Sequence, residues 1–281
     1  MTIESTDLAA RLAFAADIAR AAGQRLLGLR QSGRFGTPEA LGAVGDQAAD
    51  GYLQGALFGR FAPDGVLSEE TKDDRRRLER RAVWIVDPLD GTKEYGTQRH
   101  DFAVHVGLAV DGVPMLGAVA LPAIGRTLAA AIGPAAGPTV HVHTDAVPGL
   151  AGEWPTAPVR GDGARSGPLR LVVSRSHTPE WVQRFAERIG GAELVPCGSV
   201  GFKVAMLLFG KADCYVHKTG LKEWDTCAPE VVARACGFAV CRFDGTAQRY
   251  NLADPRNDEI VVCRPADRDR VLQTLRAVDP R

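Results

Sequence analysis

The sequence lacks a surplus of charge of either sign, because 34 lysines and arginines balance 34 aspartates and glutamates among its 281 residues. Proteins devoted to nucleic acids or membrane surfaces usually carry a basic excess, so this balance argues against both kinds of partner. The chain also lacks an uncharged apolar run near the roughly 18 residues that a membrane span requires. An anionic ligand must therefore be held by a local site and not by the field of the whole molecule.

The N-terminal stretch is a poor match to an export signal, because charged residues interrupt its apolar run; they are Glu4, Asp7, Arg11, Asp17 and Arg20. The six cysteines contain no C-x-x-C pair, which argues against a zinc knuckle. We therefore expect a cytoplasmic protein whose cysteines are reduced, mostly buried thiols and form no disulfide framework.

A nucleotide-binding P-loop is absent as well. This loop requires Gly-x4-Gly-Lys-Ser/Thr, and the one Gly-Lys pair, Gly210-Lys211, is followed by Ala212. Ala205 takes the position of the first glycine. Phosphate binding of the P-loop kind is thereby excluded.

The hydrophobic pattern predicts an α/β (α+β) protein. Apolar residues at helical spacing predict an amphipathic helix over 6–30, and a second helix over about 46–61 follows a Gly-rich stretch. Residues 102–110 and 113–121 predict a β-hairpin with an Asp-Gly turn, and residues 127–132 predict another strand. Strand-like and helix-like segments then alternate toward a C-terminal helix.

Glycine and proline recur between residues 133 and 168, which predicts a connecting segment. It would join an N-terminal half, residues 1–150, to a C-terminal half, residues 168–281. His141 and His143 alternate along a possible strand in this segment. Two histidines alone are a weak metal signal, so we interpret them as part of an ordinary exposed strand.

The most informative motif is Asp-Pro-Leu-Asp-Gly-Thr at 87–92, which follows an apolar run. The run predicts a strand that delivers Asp87 to its end, and a turn can bring Asp90 toward the same point. Gly91 permits close backbone approach, and Thr92 can begin a helix whose N–H groups and dipole favour phosphate. Carboxylates beside such a helix suit Mg²⁺. In isolation, the motif also fits a plain turn with Asp87 as a helix cap.

Other acidic residues stand in similar contexts. Glu69 and Glu70 follow the apolar approach 66–68, although an isolated pair of this kind is usually a surface pair. Asp225 precedes a helix that we expect to begin near residue 228, so its alternative role is that of an N-cap. Asp46 precedes the predicted second helix and fits a cap equally well.

Three separated motifs, in this order and spacing, resemble the inositol monophosphatase superfamily, which comprises Mg²⁺-dependent and typically lithium-sensitive phosphomonoesterases. They are Ser68-Glu69-Glu70-Thr71, Trp84-Ile-Val-Asp-Pro-Leu-Asp-Gly-Thr92 and Trp224-Asp225. Within the superfamily, Leu67-Ser68-Glu69-Glu70 followed by Asp90-Gly91-Thr92-Lys93-Glu94 is similar to the 3'(2'),5'-bisphosphate nucleotidases of sulfate assimilation, especially those of actinobacteria.

The resemblance implies a layered α-β-α-β-α fold of two α/β halves with a metal site between them. It implies two or three Mg²⁺ ions, held by Glu69, Asp87, Asp90, Asp225 and the backbone carbonyl of Leu89. The resemblance leaves open whether Glu70 replaces Glu69 as a ligand.

The resemblance also implies catalytic and substrate-binding residues. Asp46 and the Thr92 hydroxyl would position and deprotonate the attacking water, and Glu69 is the third implied catalytic residue. Asp46 departs from the usual pattern, since this chain has Val-Gly-Asp where many members have Thr-x-Ala-Asp. Lys218 would meet a second phosphate, or else is a surface lysine. The implied substrate-binding residues are Leu89, Asp90, Gly91, Thr92, Gly198, Ser199, Lys218 and Asp225.

From this resemblance we expect hydrolysis of the 3'-phosphate of 3'-phosphoadenosine 5'-phosphate. An inositol 1-phosphate or fructose 1,6-bisphosphate phosphatase is the alternative of the same class. A binding protein that engages the transcription machinery is the alternative of another class. The expected partner is a small phosphate ester, with neither nucleic-acid polymer nor membrane, and a homodimer is expected from the superfamily.

Overall fold

A computed structural model describes residues 4–133, 137–147, 154–162, 167–176 and 178–278. Parts of the predicted Gly/Pro-rich connecting segment, including Pro134, Pro148 and Gly163, lie outside these ranges. The described helices are α1 Ser5–Gln31, α2 Pro38–Phe61, α3 Thr92–Gly96, α4 Glu180–Arg188, α5 Val200–Leu208, α6 Glu223–Ala235 and α7 Arg268–Val278. None of them combines the length and the apolar character needed to cross a bilayer.

Eleven strands in the described ranges form two sheets. The first sheet has the order β1-β2-β3-β4-β5-β6, with β1 parallel to β2 and the other pairs antiparallel. The second has the order β10-β11-β9-β7-β8. The strands are β1 Gly65–Ser68, β2 Ala82–Asp90, β3 Ala103–Val110, β4 Val113–Leu121, β5 Arg126–Ala131, β6 Thr139–Thr144, β7 Arg170–Ser174, β8 Glu193–Cys197, β9 Cys214–Lys218, β10 Ala239–Cys241 and β11 Glu259–Cys263.

Alternate residues of a strand face opposite sides of its sheet, and packing on both faces produces five layers. In β2, Trp84 and Val86 pack with α1 and α2, whereas Val83 and Ile85 face the opposite side. Helices α5 and α6 fill the space between the two sheets, and α4 and α7 cover the outer face of the second sheet. The predicted α-β-α-β-α arrangement is confirmed.

A pair of glycines lets α6 lie close to the first sheet. Gly107 and Gly117 are cross-strand partners in β3 and β4. A Cβ at Gly107 would lie 2.7 Å from Cys227 Sγ, and one at Gly117 would lie 2.5 Å from the carbonyl oxygen of Ala228. Only glycine leaves room for the helix, and this contact brings the N-terminus of α6 over the ends of β2 and β3.

Helix α1 and the hairpin β3–β4 are confirmed, but two helices begin earlier than predicted. Helix α2 begins at Pro38 because Thr37 caps it, accepting a hydrogen bond from the Ala40 N–H at 3.2 Å. Asp46 therefore lies two turns inside the helix, and the cap role considered as its alternative is wrong. Helix α6 begins at Glu223, so the N-cap role considered for Asp225 is wrong as well.

The histidines and cysteines behave as expected. His141 and His143 lie on β6, which is an edge strand of the first sheet, and His141 is exposed. All six cysteines fall in the described ranges, where they are buried and form no disulfide.

Candidate active site

The two acidic motifs meet because β1 and β2 are parallel neighbours that end at the same edge of the sheet. Ser68 pairs with Val86, which places Glu69 directly after β1 beside Asp87 in β2. The β2–β3 pairing shifts register between Asp87 and Asp90, and this irregularity directs the second carboxylate to the same side. The Leu89 N–H donates to Asp87 Oδ1 at 3.0 Å and fixes that side chain. The cap role considered for Asp87 is thus wrong, since it lies within a strand.

Asp90 joins this edge to the second half of the chain. Its Oδ2 accepts hydrogen bonds from Ser199 Oγ at 2.6 Å and from the Gly201 N–H at 2.8 Å. Burial raises the pKa of Asp90, but the charge of His105 and these donors outweigh it, so the pKa is lowered. Asp90 is therefore a buried, ionised carboxylate at neutral pH.

Sequence reasoning missed His105, which is fully buried on β3 opposite Asp87. Its Nε2 lies 3.1 Å from Asp90 Oδ2, as an ion-pair contact without hydrogen-bond alignment, and its Nδ1 lies 3.1 Å from the carbonyl oxygen of Trp224. Burial lowers the pKa of His105, but the charge and contact of Asp90 raise it by a larger amount, so the net shift is upward. The available signal was a single polar residue in an apolar strand, opposite a motif aspartate.

Asp225 reaches the same cluster from the first turn of α6. Its Oδ2 accepts a hydrogen bond from the Lys222 N–H at 2.6 Å, which satisfies one free amide of the helix end. Burial, followed by the charges of Asp90 and Glu69, raises the pKa of Asp225 to about 7. Negative charge from Asp90 and Glu69 thus adds to the effect of burial in disfavouring the ionised form of Asp225.

Glu69 and Asp87 share this excess of negative charge. Burial and the neighbouring carboxylates raise the pKa of Asp87 well above its ordinary value. The Glu69 side chain is solvent-accessible, but partial desolvation and the charges of Asp90 and Glu70 raise its pKa too. The pKa of Glu70 is raised by burial and by Asp50, not by the aspartates of β2. Glu69 is therefore the glutamate that faces the cluster.

Asp87, Asp90 and His105 form a compact group that could hold a metal ion, and Glu69 and Asp225 are not part of that group. Ligand atoms of Asp87, Asp90 and His105 lie within 4.8 Å of one another, the one such group in the described part of the chain. The donors beside His105 in this group are the carboxylate oxygens of Asp87 and Asp90. Buried carboxylates that raise each other's pKa are stabilised by a bound cation, and oxygen ligands suit Mg²⁺ or Ca²⁺.

Asp46 and Thr92 lie on the other side of this group. Thr92 Oγ1 is 3.4 Å from Asp46 Oδ1 and 3.2 Å from the carbonyl oxygen of Leu89. Gly42 makes the approach possible, because a Cβ there would lie 2.8 Å from Thr92 Cγ2. Burial, then the charges of the two glutamates after β1, raises the pKa of Asp46 to about 7.

Gly198 and Ser199 face this site from the second half. Ser199 has a φ of 41°, which is strained for a residue with a side chain, and its Oγ caps α5 by accepting from the Phe202 N–H at 3.0 Å. Gly91 has a φ of 91°, and a Cβ on it would lie 3.3 Å from Ser199 Cβ. The turn at Gly91 and the turn at Gly198 and Ser199 are therefore in contact.

Two lysines extend the site. Lys218, at the end of β9, lines a neighbouring cavity of about 190 Å³ with Ser174 and His217, and no predicted metal ligand lines it. Lys203, missed from the sequence, is buried on α5 with its Nζ 3.3 Å from the Ser199 carbonyl oxygen. Burial and the charge of Lys203 lower the pKa of His217. Lys203 thus adds positive charge near the cavity that Lys218 and His217 line.

Comparisons with known proteins agree with this geometry. A 3'-phosphoadenosine 5'-phosphate phosphatase of Mycobacterium leprae is 37% identical over 276 residues, which are 95% of this chain and 93% of that protein. A protein of the same name from Mycobacterium bovis is 36% identical over 249 residues, which are 86% of this chain and 85% of that protein.

Solved structures show the same fold. CysQ from Bacteroides thetaiotaomicron superposes with a TM-score of 0.75 at 28% identity, covering 91% of this chain and 97% of that one. An inositol monophosphatase from Anabaena is 23% identical with a TM-score of 0.72, and the match covers 98% of both chains. The model of the inositol monophosphatase family matches residues 4–279. The chain therefore belongs to the inositol monophosphatase family, whose members are metal-dependent phosphatases.

Proposed function

We propose that this protein hydrolyses the 3'-phosphate of 3'-phosphoadenosine 5'-phosphate to AMP and inorganic phosphate, with Mg²⁺ as its cofactor. Relatives that carry the name of this activity match most of the chain at 36–37% identity. The expected lithium sensitivity and a role in sulfate assimilation belong to the same proposal. We also propose that it acts in the cytoplasm as a homodimer.

The observation that carries the proposal is how the three aspartates are held. Asp87 Oδ1, Asp90 Oδ2 and Asp225 Oδ2 each accept a hydrogen bond from backbone N–H groups, with Ser199 added at Asp90. One oxygen of each side chain is thus fixed by the protein, and the other is the oxygen that a cation would bind. Ligands oriented in this way are typical of sites built for a metal.

We assign the metal ligands to Glu69, Asp87, Asp90, Asp225 and the carbonyl of Leu89. Bound Mg²⁺ supplies positive charge that stabilises the developing charge of phosphoryl transfer and acidifies coordinated water. Two or three ions are proposed, as the superfamily resemblance implies.

The remaining residues orient water and substrate. The Thr92 hydroxyl, placed near Asp46, holds the attacking water, and Asp46 accepts its proton. The backbone N–H groups of Gly91 and Thr92, with Gly198 and Ser199 opposite, receive the phosphate. Water attacks phosphorus, the bond to the 3'-oxygen breaks, and that oxygen takes up a proton as AMP leaves.

A second phosphate is the feature that separates this substrate from a simple monoester. Lys218 lines a cavity together with His217, and Lys203 lies close enough to lower the pKa of that histidine, so two cations lie at or near this cavity. Positive charge in a partly buried cleft holds a phosphate more strongly than charge on the open surface. This arrangement favours a nucleoside bisphosphate over inositol 1-phosphate.

A substrate panel tests the proposal. Purified protein is assayed for phosphate release from 3'-phosphoadenosine 5'-phosphate, inositol 1-phosphate and fructose 1,6-bisphosphate, with Mg²⁺ and with a chelator. We expect the highest kcat/KM for the nucleotide and no turnover after chelation. A higher kcat/KM for either sugar phosphate would contradict the proposed substrate, and an Asp90→Asn variant that keeps its physiological effect would point to a binding role.

A further inference from the structure

A buried carboxylate outside the acidic cluster holds the turn that carries Gly198. Asp101 precedes β3 in the first sheet and is 1% exposed. Its Oδ2 accepts a hydrogen bond from the Gly198 N–H at 2.6 Å and forms an ion pair with Arg175, which follows β7 in the second sheet. Arg175 also donates to the carbonyl oxygen of Pro196 at 3.2 Å. Asp101 therefore ties the first sheet to the loop between β8 and α5.

This turn needs support because it is strained and crowded. Ser199 has a positive φ of 41°, a conformation that residues with a Cβ seldom adopt without surrounding constraints. A Cβ on Gly198 would overlap with the Glu94 side chain, and Ser199 already lies against the turn of Gly91. The turn is thus in close contact with Glu94 and the turn of Gly91, and Asp101 holds it in place.

We infer that Asp101 is a positioning residue for the substrate phosphate: with Arg175 it fixes the Gly198–Ser199 turn against Gly91 and so sets the width of the phosphate site. Asp101 acts through Gly198 and takes no part in bond making. The inference rests on the proposed phosphatase function and deepens it. Loss of the carboxylate should therefore weaken phosphate binding more than it slows chemistry.

The same strand offers a matched control. At the opposite end of β7, Asp213 accepts hydrogen bonds from the Arg170 backbone N–H at 3.0 Å and from Arg170 Nε at 2.9 Å, and it too is 1% exposed. Both ion pairs combine a buried aspartate, an arginine beside or in β7 and a backbone amide. The Asp213 pair lies within the second half, away from the turns of the phosphate site.

The experiment compares Asp101→Ala with Asp213→Ala at saturating Mg²⁺. We expect both variants to unfold at lower temperature than the wild type, since each loses a buried ion pair. Only Asp101→Ala should raise KM, and the inhibition constant of inorganic phosphate, by about tenfold with a smaller change in kcat, as loss of binding shared by ground and transition states predicts. Equal changes of KM in the two variants would overturn the inference.

Arg175→Gln and Arg170→Gln form a second pair that keeps both aspartates, in case Asp101→Ala does not fold. The same contrast in KM is expected, and its absence would contradict the inference. Calorimetric titration with inorganic phosphate adds a readout that needs no turnover. A wild type that binds phosphate but hydrolyses none of the esters would refute the proposed function, while the phosphate affinities of the variants would still decide the role of Asp101.

Discussion

Ser199 Oγ donates a hydrogen bond of 2.6 Å to Asp90 Oδ2 and thereby links the two halves of the chain at the acidic cluster. The same oxygen caps α5. Ser199→Ala should lower the free energy of unfolding by about 1 kcal/mol, as for other N-caps, and reduce kcat/KM about tenfold because Asp90 loses its orientation. Thr37→Ala removes the cap of α2 and should cost similar stability with unchanged kcat/KM. Equal kcat/KM in the two variants would show that the Asp90 contact is dispensable.

Asp50 bridges both ends of the segment that contains Glu69. Its Oδ1 accepts from Ser68 Oγ at 2.6 Å, and its Oδ2 accepts from Thr71 Oγ1 at 2.8 Å. Asp50→Ala should raise the Mg²⁺ concentration for half-maximal activity by about tenfold, in the range seen when residues that orient metal ligands are changed. Mg²⁺ titrations of activity and of calorimetric heat measure this. Thr71→Val removes one of the two bonds and should give a smaller change; an unchanged Mg²⁺ dependence in both variants would exclude this role.

Two glycine-to-alanine changes should have opposite effects on stability. Gly117→Ala places a Cβ 2.5 Å from the Ala228 carbonyl oxygen, and such overpacking costs about 1–3 kcal/mol. Gly55→Ala, on the exposed face of α2 with nothing within 4 Å of the added Cβ, should stabilise the protein by about 0.5–1 kcal/mol. Urea unfolding measures both. Because Gly117→Ala also displaces α6 and Asp225, it should lower activity, whereas Gly55→Ala should not.

Removal of negative charge should stabilise the metal-free protein. Asp87 is buried among carboxylates that raise its pKa. Asp87→Asn should raise the Tm measured in chelator and abolish the rise in Tm that Mg²⁺ gives the wild type, since a ligand of the folded state stabilises it by mass action. Thermal unfolding with and without Mg²⁺ checks this. A lower Tm of the variant in chelator would mean that repulsion between the carboxylates does not destabilise the metal-free protein.

The ion pair of Asp101 predicts a pH dependence of stability. Burial raises the pKa of Asp101, but the Gly198 N–H and Arg175 outweigh it, so the folded-state pKa lies below its ordinary 3.8. The unfolded state therefore binds the proton more tightly, and the stabilisation is present above pH ~4 and lost as pH falls through the folded-state value. The stability difference between wild type and Asp101→Asn should be constant near neutral pH and shrink below pH ~4. A difference that grows on acidification would contradict this sign.

Local patterns in the sequence predicted the elements whose signals are themselves local. Helix α1 follows from its apolar spacing, and the hairpin β3–β4 from Asp111-Gly112, which both have positive φ. The start of α2 was misplaced because Thr37-Pro38, a cap followed by a first-turn proline, lies in a stretch whose glycines favour a loop. Strand β8 was missed because its residues are only partly buried and do not alternate clearly.

The acidic residues of the site were predicted through a family resemblance, and the polar groups around them were not. His105 and Asp101 each act on a partner far away in sequence, so no spacing within the chain reveals them. His105 contacts the carbonyl of Trp224, 119 residues later. Such partnerships exist only once the two sheets have packed against the helices between them.

Helix α6 belongs by sequence to the second half of the chain, yet Cys227 and Ala228 rest on the glycines of the first sheet. A fragment that ends before residue 223 would leave the inner face of that sheet without its cover, and the apolar side chains there would be exposed to water. During synthesis, the first sheet therefore cannot bury its inner face until helix α6 has been made. A chain released before α6 is complete would expose apolar surface and aggregate, and would not form a smaller functional domain.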